Sequence, residues 1–180
     1  MKERGGSFDL GLDRVRLECA CRPEDLEDAA AVLEDASAWV ASLGFPAWGE
    51  RTFRDADGRG RLQLQEALRS GGLFVARIGE EPVATVSLFE VDERFWPDAP
   101  GDALYVHKLA VRRAHGGEGI GAAIVTWSAR RARAQGKRFL RLDCPRDDPG
   151  VRRYYERAGF EHRGDVTVGS FEASLYELRL

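Results

Sequence analysis

Residues 110–124 read AVRRAHGGEGIGAAI, and Gly117, Gly119 and Gly121 alternate where an apolar run gives way to a helix-like one. A glycine inside a helix or strand costs up to about 1 kcal/mol against alanine. One glycine would serve close packing of a helix on a sheet; three at period two ask for bare backbone. Unpaired N–H groups at a helix N-terminus form an anion site, and phosphate is the usual occupant. The stretch therefore demands a strand, a glycine loop and a helix in succession, with an anionic ligand implied.

The rest of the chain supplies elements of both kinds. Val15, Leu17 and Cys19 alternate and predict a strand over about 13–20. Pro23 opens a helix, with Glu24, Asp25, Glu27 and Asp28 complementing its N-terminal dipole. Leu26, Ala30, Leu33, Ser37, Val40 and Leu43 continue its apolar stripe until Gly44. After a loop rich in turn formers come a short helix over 61–69 and a hairpin of 73–78 with 83–91. A strand over 103–111 leads into the glycine loop and a helix over 119–135. A strand over 138–144, a helix over 149–159 and two strands over 160–168 and 171–179 finish the chain, the last pair joined at Gly169-Ser170. The expected order is β-α-α-β-β-β-α-β-α-β-β. This is an α/β chain of mixed α+β type: residues 1–12 as a flexible N-terminal segment, residues 13–180 as a single domain.

Composition narrows the function. With 180 residues the chain is long enough for one well-buried core. The start has no apolar signal-peptide region and no run is long enough to span a membrane, so a cytoplasmic protein is expected. Cys19, Cys21 and Cys144 read as reduced thiols, the first two sharing one buried strand face. His107, His115 and His162 have no zinc-like spacing with them, and no metal is expected. Residues 1–110 hold 13 basic and 21 acidic side chains, whereas residues 111–180 hold 14 and 9. A cationic half that begins at the glycine loop suits an anionic ligand, and the acidic half suits a cationic one. No stripe of Lys and Arg interleaved with aromatics marks a nucleic-acid surface.

Two nucleotide folds compete for the loop. Gly117 to Ala122 satisfies GxGxxA, and Asp143 follows about 20 residues on, as in a dinucleotide site. Against that reading, Arg112 to Gly116 separate the strand from the first glycine, and too little chain follows for a second mononucleotide half. A P-loop needs Lys and a hydroxyl after the last glycine, where Ala122-Ala123 stand.

LAVRRAHGGEGIGAAIV resembles the acetyl-CoA loop of the GNAT superfamily of N-acyltransferases, whose pattern is [QR]-x-x-G-x-[GA], and RRYYERAGF resembles its second signature. AWVASLGFPAW and YVHKLAV look like one bacterial branch of that family. The resemblance covers residues 13–180 and implies a central mixed, mostly antiparallel sheet of about seven strands flanked by about four helices. The sequence departs from the pattern twice. Gly116 stands at the [QR] position, and Asp148 stands where the family often carries Asn.

What the resemblance implies is transfer of an acetyl group from acetyl-CoA to a primary amine by direct attack. The backbone of Gly116, Gly117, Glu118, Gly119, Ile120, Gly121 and Ala122 would hold the diphosphate; that of Leu109, Ala110 and Val111 would pair with the pantetheine. Strand-edge donors polarising the thioester carbonyl would each be worth about 2.7–4 kcal/mol. Asp148 would accept a hydrogen bond from the pantetheine, and Arg152, with Arg112, Arg113 and Arg153, would meet phosphates. Tyr155 matches the general-acid tyrosine, and a phenol of pKa about 10 is protonated at neutral pH. By helical spacing alone, with Val151 and Ala158, Tyr155 also reads as a core residue. His107 is the candidate base, with Glu90 or Asp92 as alternatives. The acceptor is a small-molecule or peptide amine. Trp48 and Trp96, and less so Trp39 as a core residue, could frame its cation. A non-catalytic acyl-CoA-binding domain and a dinucleotide-dependent oxidoreductase are the alternatives. Monomer and homodimer both stand open.

Overall fold

The computed structural model describes residues 6–45, 52–97 and 99–180. Its strands are β1 (Ser7–Asp9), β2 (Arg16–Cys19), β3 (Leu73–Ile78), β4 (Glu81–Phe89), β5 (Ala103–Val111), β6 (Phe139–Pro145), β7 (Glu161–Val168) and β8 (Phe171–Arg179). The helices are α1 (Pro23–Ser42), α2 (Arg59–Ser70), α3 (Ile120–Ala134) and α4 (Pro149–Arg157), with a single 3-10 turn at Arg113–His115. The strands form one eight-stranded sheet in the order β1-β2-β3-β4-β5-β6-β8-β7. β5 and β6 run parallel, while β1/β2, β2/β3, β3/β4, β6/β8 and β7/β8 are antiparallel. The mixed sheet and four helices match the expected architecture. The extra strand is β1, a three-residue piece with no alternation of its own, paired across Phe8 and Leu17.

By internal contacts the chain forms two compact units, Met1–Ser87 with Lys108–Ile124, and Leu88–His107 with Val125–Leu180. In the first, α1 and α2 pack on each other and on β3. Leu17, Val32, Leu33, Leu64, Phe74 and Val86 are buried there. The buried face of α1 runs from Leu26 to Ala36 and then ends. Leu43, read from the stripe as inward, and Trp39, read as a core residue, are 55% and 42% exposed. Likewise β2 stops at Cys19, so Cys19 is buried but Cys21 lies past the strand and is exposed.

The start of α1 is tied to the sheet through charge. Asp25 sits in the first turn and accepts hydrogen bonds from the backbone N–H of Cys21 at 3.0 Å and of Arg22 at 2.9 Å. Buried Arg77 on β3 donates Nη2 to Asp25 at 3.0 Å and to Asp28 at 2.7 Å. Burial opposes charge on Asp25, but the bonds from the Arg22 side chain and the backbone N–H groups prevail and hold its pKa down to about 2. A carboxyl so depressed contributes stability that is complete above its unfolded pKa of about 3.9 and is lost as pH falls through the folded value. Asp25→Asn is expected to lower stability at neutral pH and to flatten the decline between about pH 4 and pH 2. Urea midpoints across that range check it.

In the second unit β6 lies between the 103–106 stretch of β5 and β8, and β7 completes a hairpin with β8 across Gly169-Ser170. Phe95, Ala173 and Leu175 are buried together, packed by Trp96, Val166, Val168 and Phe171. Buried Arg141 donates Nε to Glu177 at 2.8 Å and Nη1 to Asp102 and to the Tyr105 hydroxyl, both at 3.2 Å. Its guanidinium lies over the Trp96 ring, 4.9 Å from the centroid. Such a buried cation is tolerated because its donors are matched.

Candidate active site

In the first unit the candidate residues lie on the loop after β5. Lys108 has φ 53°, a left-handed conformation rare for a residue with a side chain. It follows closely on Val106, where the parallel pairing with β6 ends. After β5 the chain is pinned to β4, since Arg112 donates its N–H to the Val83 carbonyl at 2.8 Å and its Nε to the Pro82 carbonyl at 2.6 Å. That guanidinium is thereby directed to β4, not to the loop as expected.

Gly117 and Gly119 take φ 88° and 80°, and Glu118 stands between them. Alternation of this kind turns successive N–H groups toward one side and makes an anion-binding concavity. α3 begins at Ile120, and the first ladder bond runs from Ala123 N–H to the Gly119 carbonyl at 3.0 Å. The N–H groups of Ile120 and Gly121 belong to the first turn, whose donors have no partner within the helix and lie at the positive end of its dipole. Ile120 and Ile124, buried beneath them, anchor the first turn. A Cβ added at Gly117 or Gly119 would meet nothing within 4 Å, so conformation, not crowding by the protein, requires glycine at both positions. Not all of the expected donors face outward. Glu118 directs its N–H to the His115 carbonyl at 3.4 Å, and Gly116 donates to the Arg113 carbonyl at 3.1 Å.

In the second unit candidate residues lie on α4 and β6. Asp148 is the N-cap of α4, its Oδ1 accepting from Gly150 N–H at 2.9 Å and Val151 N–H at 3.0 Å, with Pro149 in the first helical position. The residue read as a pantetheine partner thus has a structural duty first. Asp148→Ala is expected to cost about 0.5–2 kcal/mol, read as a lower urea midpoint.

Tyr155 is the one buried residue of α4, ringed by Tyr154, Phe160 and Tyr176 at centroid distances of 5.2, 5.7 and 6.5 Å. Burial, aided by Tyr154, Cys144 and Asp143, pushes its pKa upward, so the phenol keeps its proton. Burial also pushes the Cys144 thiol up to about 12, which leaves it protonated and inert as a nucleophile. Arg152 donates Nε to the Tyr176 hydroxyl at 3.1 Å, and that hydroxyl donates to Glu156 at 2.8 Å.

A further group in that unit surrounds His107. Its Nε2 lies 3.0 Å from Asp92 Oδ2 and its Nδ1 3.7 Å from Asp143 Oδ1. The side chains of His107, Asp92 and Asp143 are 14, 8 and 12% exposed. Phe89 and Phe95 pack against the imidazole, with centroids 5.5 and 6.4 Å away. One ligand atom from each of the three polar residues falls within 4.8 Å of the others. The imidazole is held by Asp92 on its Nε2 side, with Asp143 beyond hydrogen-bond distance on its Nδ1 side. Among the alternatives read from sequence, Asp92 joins this group, while Glu90 lies 3.8 Å from Lys137 Nζ. Asp143 was read only as a ribose acid. The β5/β6 register reveals its place, because Val106 pairs with Leu142 and the next residues are His107 and Asp143.

Two of the three tryptophans read as a frame for the acceptor have arginine partners. Trp96 is stacked under Arg141, and Trp39 under Arg113 at 5.0 Å. Trp48 lies outside the described residues. No helix among the described residues is long and apolar enough to cross a membrane.

The chain is similar to known proteins in sequence and in fold. The family model described as Acetyltransferase (GNAT) family matches residues 34–160. An uncharacterized N-acetyltransferase, YesJ, of Bacillus subtilis (strain 168) is 28% identical over 156 residues, 84% of either chain. A GNAT-family acetyltransferase from Listeria monocytogenes 4b F2365 superposes with TM-score 0.74 at 19% identity, over 97% of this chain and 100% of that one. The PaiA N-acetyltransferase of Thermoplasma acidophilum, solved in complex with coenzyme A, superposes with TM-score 0.70 at 14% identity, over 92% and 99%. With that family model matched over most of its length, the chain belongs to the GNAT acetyltransferase family.

Proposed function

We propose that the protein transfers an acetyl group from acetyl-CoA directly to a primary amine of a small molecule or peptide. The observation that carries the reading is the pair of left-handed glycines, Gly117 and Gly119, opening α3 in a chain of this family. The N–H groups of Gly117, Gly119, Ile120 and Gly121 hold the diphosphate, and the backbone of Leu109, Ala110 and Val111, beyond the left-handed Lys108, aligns the pantetheine. That coenzyme A is bound by the Thermoplasma fold relative supports the same ligand here.

Acetyl-CoA supplies the acyl group as an activated thioester. The amine nitrogen forms the new bond to the acyl carbon as the carbon–sulfur bond breaks. His107, oriented by the hydrogen bond between its Nε2 and Asp92, takes on Nδ1 the proton the amine must lose. Tyr155, protonated by virtue of its burial, gives a proton to the departing sulfur. The carboxylates around His107 favour a cationic acceptor. The buried Cys144 thiol, kept neutral, supports direct transfer over an acyl-cysteine intermediate at that residue. Cys144→Ala is accordingly expected to keep kcat within about twofold, with no acetyl group found on the wild-type protein after incubation with acetyl-CoA. A panel of polyamines, amino acids, aminoglycosides and peptide N-termini, followed by release of free thiol, tests the function. Amine-dependent release supports it; acetyl-CoA turnover that no amine stimulates overturns it.

A further inference from the structure

The family pattern places Gln or Arg where this chain has Gly116, at the mouth of the glycine loop. Gly116 has φ −63° and ψ 132°, values open to any residue, so its own backbone does not demand glycine. What a side chain there would meet is Arg113. A Cβ at 116 would come within 2.8 Å of Arg113 Nη1 and 3.2 Å of its carbonyl oxygen. The guanidinium thus occupies the space into which a residue at 116 would project.

Its position is built from the other side as well. Asp35 of α1 accepts the Arg113 N–H at 2.7 Å and fixes the 3-10 turn. The guanidinium lies over the Trp39 ring, 5.0 Å from its centroid, which explains an exposed tryptophan late in α1. No carboxylate among the described residues forms an ion pair with that guanidinium. Arg113 is exposed, with its Nη1 2.8 Å from where a Cβ on Gly116 would stand.

Resting on the acetyl-CoA reading, we infer that Arg113, braced on Trp39, replaces the missing side chain at 116 and supplies the cation for the diphosphate. Gly116 leaves that room to the Arg113 guanidinium. The two positions are one unit, with the charge moved three residues upstream.

Calorimetry with coenzyme A and with dephospho-coenzyme A, which keeps the diphosphate but lacks the 3′-phosphate, tests this on the whole chain. Arg113→Met retains a stem on Trp39 without charge and should weaken both ligands by about tenfold. The unliganded melting temperature should stay unchanged. Gly116→Arg introduced into Arg113→Met should restore most of the affinity. Equal binding by wild type and Arg113→Met would overturn the inference alone. So would a loss confined to coenzyme A, since the guanidinium would then meet the 3′-phosphate. Failure of the double variant to recover, with its melting temperature intact, would also overturn it. Wild-type protein that binds neither ligand would overturn the underlying reading instead.

Discussion

Tyr155→Phe is expected to lower kcat by about 10²-fold or more while coenzyme A binds as in the wild type. Tyr155 is enclosed by Tyr154, Phe160 and Tyr176, and loss of water raises its pKa well above that of a free phenol. The hydroxyl therefore holds its proton across the physiological range and can donate it to sulfur as the thioester opens. Phe fills the same space, so the ring cluster persists and stability changes little. Removal of a donor used only in the transition state lowers kcat and kcat/KM together. Single-turnover kinetics beside calorimetry would separate the two quantities. A residue that only fills the core would leave both unchanged.

The second large effect is expected at the loop. Gly119 has φ 80°, and left-handed backbone costs a residue with a Cβ about 1–2 kcal/mol, with β-branched residues worst placed. Gly119→Val should drive the loop to negative φ and turn the N–H groups of Ile120 and Gly121 away from their shared direction. Coenzyme A affinity should fall by about tenfold or more, a loss that exceeds any change in the unliganded melting temperature. Crowding cannot be the cause, because a Cβ at 119 meets nothing within 4 Å. Gly119→Ala should fall between the two. Titrations of the three proteins at one salt concentration check the order.

Much of this was legible in the residues because the signals were local. The strand over 103–111 and the opening of α1 at Pro23 follow from period and capping, and both match the structure. So does the helix after the glycines, within a residue or two. What escaped depended on partners distant in sequence. β1 owes its existence to β2, and Ser7–Asp9 alone has no pattern to read. The stripe on α1 continues in sequence to Leu43, but the surface that buries it ends near Ala36. Asp143 became a neighbour of His107 only through the parallel register of β5 with β6. Asp148 was different: Asp-Pro before a helical run is a local capping signal, yet resemblance drew attention to a ligand role instead. Arg113 was one of four arginines named for the phosphates. The Cβ direction of Gly116 distinguishes it from Arg112, which turns to Pro82, and from Arg152, which turns to Tyr176.

The central claim is that backbone N–H groups of the glycine loop hold the diphosphate of coenzyme A. Protein labelled with 15N-glycine, titrated with coenzyme A and followed by amide NMR, addresses it directly. The account predicts that the Gly117, Gly119 and Gly121 resonances move most and saturate together. Saturable binding that leaves those three in place and shifts glycines remote from the loop, such as Gly71 and Gly79, would contradict it.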